Sequence, residues 1–134
     1  VNSNEPQITL HRRPLLVGLG GVEGTCLVAA FLVSQRMEDP RTTASGALLG
    51  VALVGTLFLA GALVVASGKP RAASLLPTLW LGATIARVMG LLIAVLPIYF
   101  AAPQILPAFA VGAGGAYLAC LAVETALIAR QALR

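Results

Sequence analysis

Three ionisable residues of this chain fall inside long apolar stretches: Glu23, Arg87 and Glu124. Charges in such settings have few uses. A carboxylate can bind a proton or a cation, a guanidinium can hold a carboxylate, and the two can neutralise each other. Arg87 lies near the middle of residues 74–100, SLLPTLWLGATIARVMGLLIAVLPIYF, a stretch with no other charge. Twenty-odd apolar residues in a helix cross a bilayer core of roughly 30 Å. An arginine at that depth costs about 2.5–3.5 kcal/mol on insertion scales unless it finds a partner or water.

Depth along each helix suggests the partners. At 1.5 Å per residue, Arg87 lies roughly 19 Å from the start of its span and Glu23 roughly 13 Å from the start of its own. Glu124 lies about 9 Å from the basic end of the last span by the same rise. The arginine side chain is long and snorkels readily. The expectation is therefore a network in which Arg87 reaches Glu23 and Glu124 extends it toward the basic end. On that pairing, Arg87→Ala destabilises the protein and Glu23→Gln restores part of the loss. The plainest use of such a network is to fix helix register. The functional use is a proton or cation site, or contact between Arg87 and a partner's carboxylate.

The elements that must hold these charges follow from composition. The chain has 134 residues, 58% hydrophobic and 10% charged, with a mean hydropathy of +0.92. A soluble domain of this size would turn far more polar surface to water. The reading is an all-α integral membrane four-helix bundle, with a tail over 1–13 and a four-span domain over 14–134. The spans are expected at about 14–34, 44–67, 74–100 and 105–129. Pro14 suits a first helical turn. Residues 35–45, QRMEDPRTTAS, read as a polar loop, with Ser45 a plausible N-cap for the second helix. Gly68 and Pro70 bracket a tight basic turn. Pro97 is placed to bend or end the third helix, with Tyr99 and Phe100 at the interface beyond it.

Basic residues give the orientation. Arg12, Arg13, Lys69, Arg71, Arg130 and Arg134 fall on one side of a four-span chain, and Arg36 and Arg41 on the other beside Glu38 and Asp39. The excess points to cytoplasmic termini in a bacterial inner membrane. The same placement removes the nucleic-acid reading of a net charge of +4, since these residues flank apolar runs and contact headgroups. His11, beside two arginines, reads as a headgroup contact. Cys26 and Cys120 read as small apolar residues within spans. No metal-ligand spacing, catalytic triad or phosphate loop is present, so neither enzyme chemistry, a metal nor a cofactor is expected.

Glycines carry the remaining signal. Gly20 and Gly24 in the first span, and Gly46 and Gly50 in the second, are each spaced G-x-x-x-G. This spacing lets helices approach closely, either within the bundle or against a partner, including a second copy of the chain.

Over the third and fourth spans the chain resembles the ATP synthase protein I family, small four-span proteins associated with assembly of the membrane rotor ring of bacterial ATP synthases. The resembling segment is Ala83-Thr84-Ile85-Ala86-Arg87, the apolar run through Leu96, a short proline-containing turn and a fourth apolar span. Arg87 matches the family's basic position, often lysine. Thr84 stands where members usually carry an acid. The resemblance implies an accessory role in which rotor subunits, or another set of membrane helices, are the partners beside lipid. Two other classes remain open. Gly20-Gly21-Val22-Glu23-Gly24 resembles the membrane-glutamate segment of small proton-coupled multidrug transporters, though the aromatic lining of those proteins is missing. A structural subunit of a larger respiratory or photosynthetic complex would have a sequence much like this one.

Overall fold

The computed structural model describes residues 7–8, 10–66, 71–72 and 74–132. Four long helices account for nearly all of them: α1 (Arg12–Ser34), α2 (Pro40–Val65), α3 (Leu75–Ala101) and α4 (Leu106–Ala132). Each is long and apolar enough to cross a membrane. The shortest has 23 residues, about 35 Å at 1.5 Å per residue, so each exceeds the hydrocarbon thickness. The protein is an all-α multi-pass bundle.

The second helix begins earlier than its apolar pattern predicts. It starts at Pro40, with Asp39 as N-cap, rather than near Ser45. Asp39 Oδ1 accepts from the Thr42 backbone N–H at 3.4 Å. Hydrogen bonding from the Thr42 side chain and from its backbone N–H holds the exposed Asp39 carboxyl below the usual aspartate range. Proline at the first helical position loses no hydrogen bond, so Asp-Pro is the stronger start signal. Ser45 lies inside the helix and donates its hydroxyl back to the Thr42 carbonyl at 2.9 Å. Pro97 does not end α3, which continues to Ala101. The turn between α3 and α4 is a single 3-10 turn, Pro103–Ile105. The expected turn at Gly68 and Pro70 lies outside the described residues.

The N-terminal segment, the α2–α3 connection and the end of α4 meet at one end of the bundle. Gln7–Ile8 (β1) pairs antiparallel with Arg71–Ala72 (β2). The His11 N–H donates to Gln131 Oε1 at 2.8 Å. Arg12 Nε donates to the Ala66 carbonyl at 2.6 Å, which gives the end of α2 an acceptor's partner. Leu10 is buried beneath these contacts.

Helix α2 is the centre of the bundle, with its broadest contact on α4 and a second on α1, while α3 lies against it from another side. Its buried residues include Gly46, Gly50, Val54, Phe58 and Ala62. This four-residue spacing makes one continuous ridge. The matching stripe on α4 is Phe109, Ala113, Ala116, Cys120 and Glu124. Backbones touch where the ridge is glycine. A Cβ on Gly46 would stand 2.5 Å from the Ile105 carbonyl oxygen, and one on Gly50 2.5 Å from that of Phe109. Gly112 on α4 returns the contact, with a Cβ there 2.5 Å from the Ala47 carbonyl oxygen. The second-span glycine face therefore packs inside the bundle. The first-span face does not: Gly20, Gly21 and Gly24 have nothing within 4 Å of an added Cβ.

This difference predicts opposite outcomes at the two motifs. Gly50→Val should lower stability by about 1–3 kcal/mol through overpacking, while Gly20→Val should change it by less than about 0.5 kcal/mol. Denaturation of the purified protein in micelles checks both. Equal effects would contradict the α2–α4 backbone contact.

Candidate functional site

Arg87 is the largest fully buried side chain, 2% exposed, and it comes from the helix least enclosed by the others. No other residue of α3 is buried. The side chain leaves α3, crosses α2 and ends on α4. Its Nη1 donates to Glu124 Oε2 and its Nη2 to Glu124 Oε1, both at 2.6 Å. Glu124 is 1% exposed. A two-pronged pair of this length is the strongest geometry available to a guanidinium and a carboxylate.

The crossing is possible because of α2. Gly61 leaves room for the guanidinium, which occupies the place a Cβ there would take. Three residues earlier, the Phe58 ring lies 4.1 Å from Arg87 Cζ. A cation over an aromatic face gains about 0.5–2 kcal/mol, more as water is removed. Tyr117 of α4 fixes the Phe58 ring edge-to-face, with centroids 5.3 Å apart. The guanidinium thus has a carboxylate at its tip, a ring against it and a glycine notch around it. Its Nε alone is buried without a hydrogen-bond partner among the described residues.

Glu23 takes a different position from the one its depth suggests. It makes no ion pair with Arg87, and its carboxyl group sits over Gly55 of α2, where a Cβ would otherwise be. The reason is lateral. Helix α1 packs on α2 and α4, whereas α3 packs on α2 and touches α4. The central helix stands between α1 and α3, so the arginine meets the carboxylate on α4. Of the three charges expected to form one network, the structure joins Arg87 to Glu124 and sets Glu23 apart. Glu23, Cys26, Glu124 and Arg87 all lie within electrostatic range of Cys120, so the five groups share one region of the bundle.

No family model, curated protein or solved structure matches the chain. The chemistry rests on its own geometry. The Arg87–Glu124 pair closes charge within the bundle and fastens α3 to α4 past α2.

The pairing sets the expected genetics of the site. Arg87→Ala leaves Glu124 as a lone buried charge, which typically costs about 3–5 kcal/mol. Adding Glu124→Gln should recover much of that loss, and adding Glu23→Gln should recover little. A double-mutant cycle on denaturation in micelles measures both couplings. Rescue by Glu23→Gln alone would contradict the pairing.

Proposed function

We propose that this chain is a small accessory membrane protein. It assists assembly or stability of a bacterial ATP synthase membrane sector by packing against small-residue helices. The observation that carries the reading is the split between the two glycine faces. Gly46 and Gly50 are consumed inside the bundle, whereas Gly20, Gly21 and Gly24 present a smooth surface on the outside of α1. Helices in lipid associate through close backbone approach at such surfaces. The resemblance of the Ala83–Arg87 segment to the ATP synthase protein I family names the assembly. Arg87 is already held by Glu124, so in this reading its work is to fix α3 rather than to meet a rotor carboxylate. The shared end of the bundle that carries Arg12, Arg13 and Arg130 faces the cytoplasm by the positive-inside rule, in the inner membrane.

The test is capture from native membranes with a tagged chain. Rotor-ring subunits should co-purify with the wild type. Gly20→Leu with Gly24→Leu should reduce their recovery about tenfold, the equivalent of about 1.4 kcal/mol, while leaving the purified protein as stable as before. Undiminished recovery would remove α1 from the contact. Proton-driven substrate uptake in vesicles, lost in Glu23→Gln, would overturn the accessory reading in favour of transport.

A further inference from the structure

We propose that Glu23 of α1, seated in the Gly55 notch of α2, is a proton-binding carboxyl at membrane depth, separate from the Arg87–Glu124 pair. The site does not depend on the accessory role or on any transport activity.

Its construction is visible from both helices. On α1, Glu23 lies on the face that turns inward, one turn from the buried Leu19 and in line with Cys26, Leu27 and Ala30, which pack on the core. The outward face of the same helix is Val17, Gly20, Gly21, Gly24 and Val28. Glu23 is half-buried, whereas those glycines are exposed. On α2, Gly55 is buried, and its missing side chain is the space that the carboxyl fills. Helix α2 uses glycine this way twice. Gly61 receives the guanidinium of Arg87, and Gly55 receives the carboxyl of Glu23. The first notch holds a charge whose counter-charge is present. The second holds a group with none.

The neighbours decide the ionisation state. Glu23 acts electrostatically on Cys120 of α4, as do Cys26 of α1, Glu124 of α4 and Arg87 of α3, while the one charged residue of α2, Arg41, lies in its first turn, about 21 Å along the helix from Gly55 at 1.5 Å per residue. Arg87 is the single cation among them, and both of its terminal nitrogens are taken by Glu124. Glu23 makes no hydrogen bond or ion pair among the described residues. An unpaired carboxylate at this depth is disfavoured, and a proton is the simplest way to neutralise it. A metal cation asks for several oxygen ligands at once, and among the described residues no three acidic, cysteine or histidine side chains are placed to hold a metal ion together. The equilibrium is a carboxylate taking up one proton to become the neutral acid.

A protonated carboxyl in an apolar site adds to dicyclohexylcarbodiimide: the acid proton goes to one carbodiimide nitrogen and the carboxyl oxygen to its carbon. The adduct then rearranges to a stable acylurea with nothing lost. The purified protein, incubated with this reagent across a pH series and analysed by peptide mass spectrometry, should gain the mass of one reagent molecule at Glu23. Labelling should fall about tenfold per pH unit above the titration point and be absent in Glu23→Gln. Gly55→Ala, whose Cβ displaces the carboxyl, should move the pH at which labelling falls. Four results would each overturn the proposal: an unlabelled Glu23, labelling equal at every pH, labelling of Glu124 in its place, or protection by sodium at constant pH.

Discussion

A guanidinium that must not meet lipid organises this bundle. Arg87 is the only residue of α3 that is fully buried, and its head lies in the Gly61 notch of α2, against Glu124 of α4. Helix α3 otherwise presents Leu81, Ile85, Val88, Met89, Leu92 and Ile93 outward. In lipid those side chains gain nothing by turning inward, since hydrocarbon surrounds them either way. What selects one face of α3 for the core is the cost of leaving Arg87 anywhere else. The remaining helices behave differently. Helices α2 and α4 pack backbone to backbone through glycine and alanine, α1 meets α4 through the Leu127 side chain at Gly18, and their association follows from shape.

The same logic explains the sequence of α2, which would be a poor helix in water. Glycine in a helix interior costs about 1 kcal/mol relative to alanine, and α2 carries Gly46, Gly50, Gly55 and Gly61. Each has a use that alanine could not fill. Gly46 and Gly50 admit the backbone of α4, Gly55 admits the Glu23 carboxyl, and Gly61 admits the Arg87 guanidinium. Closing two backbones together and seating two side chains from different neighbours is what a central helix must do when its surroundings are apolar.

Much of the architecture is legible in the sequence. Four apolar runs of bilayer length leave one fold class, and the structure has four such helices. The end of the bundle shared by the N-terminal segment, the α2–α3 connection and α4 follows from counting spans. The start of α2 departs from the hydropathy pattern because apolar periodicity begins after Ala44, while the helix begins at the Asp39-Pro40 cap, which hydropathy does not register. The partner of Arg87 differs from the expected one for a deeper reason. Rise per residue gives depth and leaves the angle around the bundle undetermined. Glu23 and Glu124 were both within reach by depth. Only the placement of α2 between α1 and α3 separates them. The two G-x-x-x-G motifs were equivalent as text for the same reason, and their opposite orientations became visible once α2 was central. The roles of Phe58 and Gly61 went unread, although a lone aromatic three residues before a glycine in an otherwise aliphatic span was the available signal.

Arg87 and Glu124 lie far apart in sequence and meet at the notch of a third helix. Magic-angle-spinning NMR on the isotope-labelled protein in lipid bilayers can measure this contact through the dipolar coupling between the Arg87 guanidinium nitrogens and the Glu124 carboxyl carbon. Nitrogen–oxygen separations of 2.6 Å at both prongs predict strong, near-equal couplings from Nη1 and Nη2. Absence of that coupling, or its appearance at the Glu23 carboxyl instead, would contradict the account.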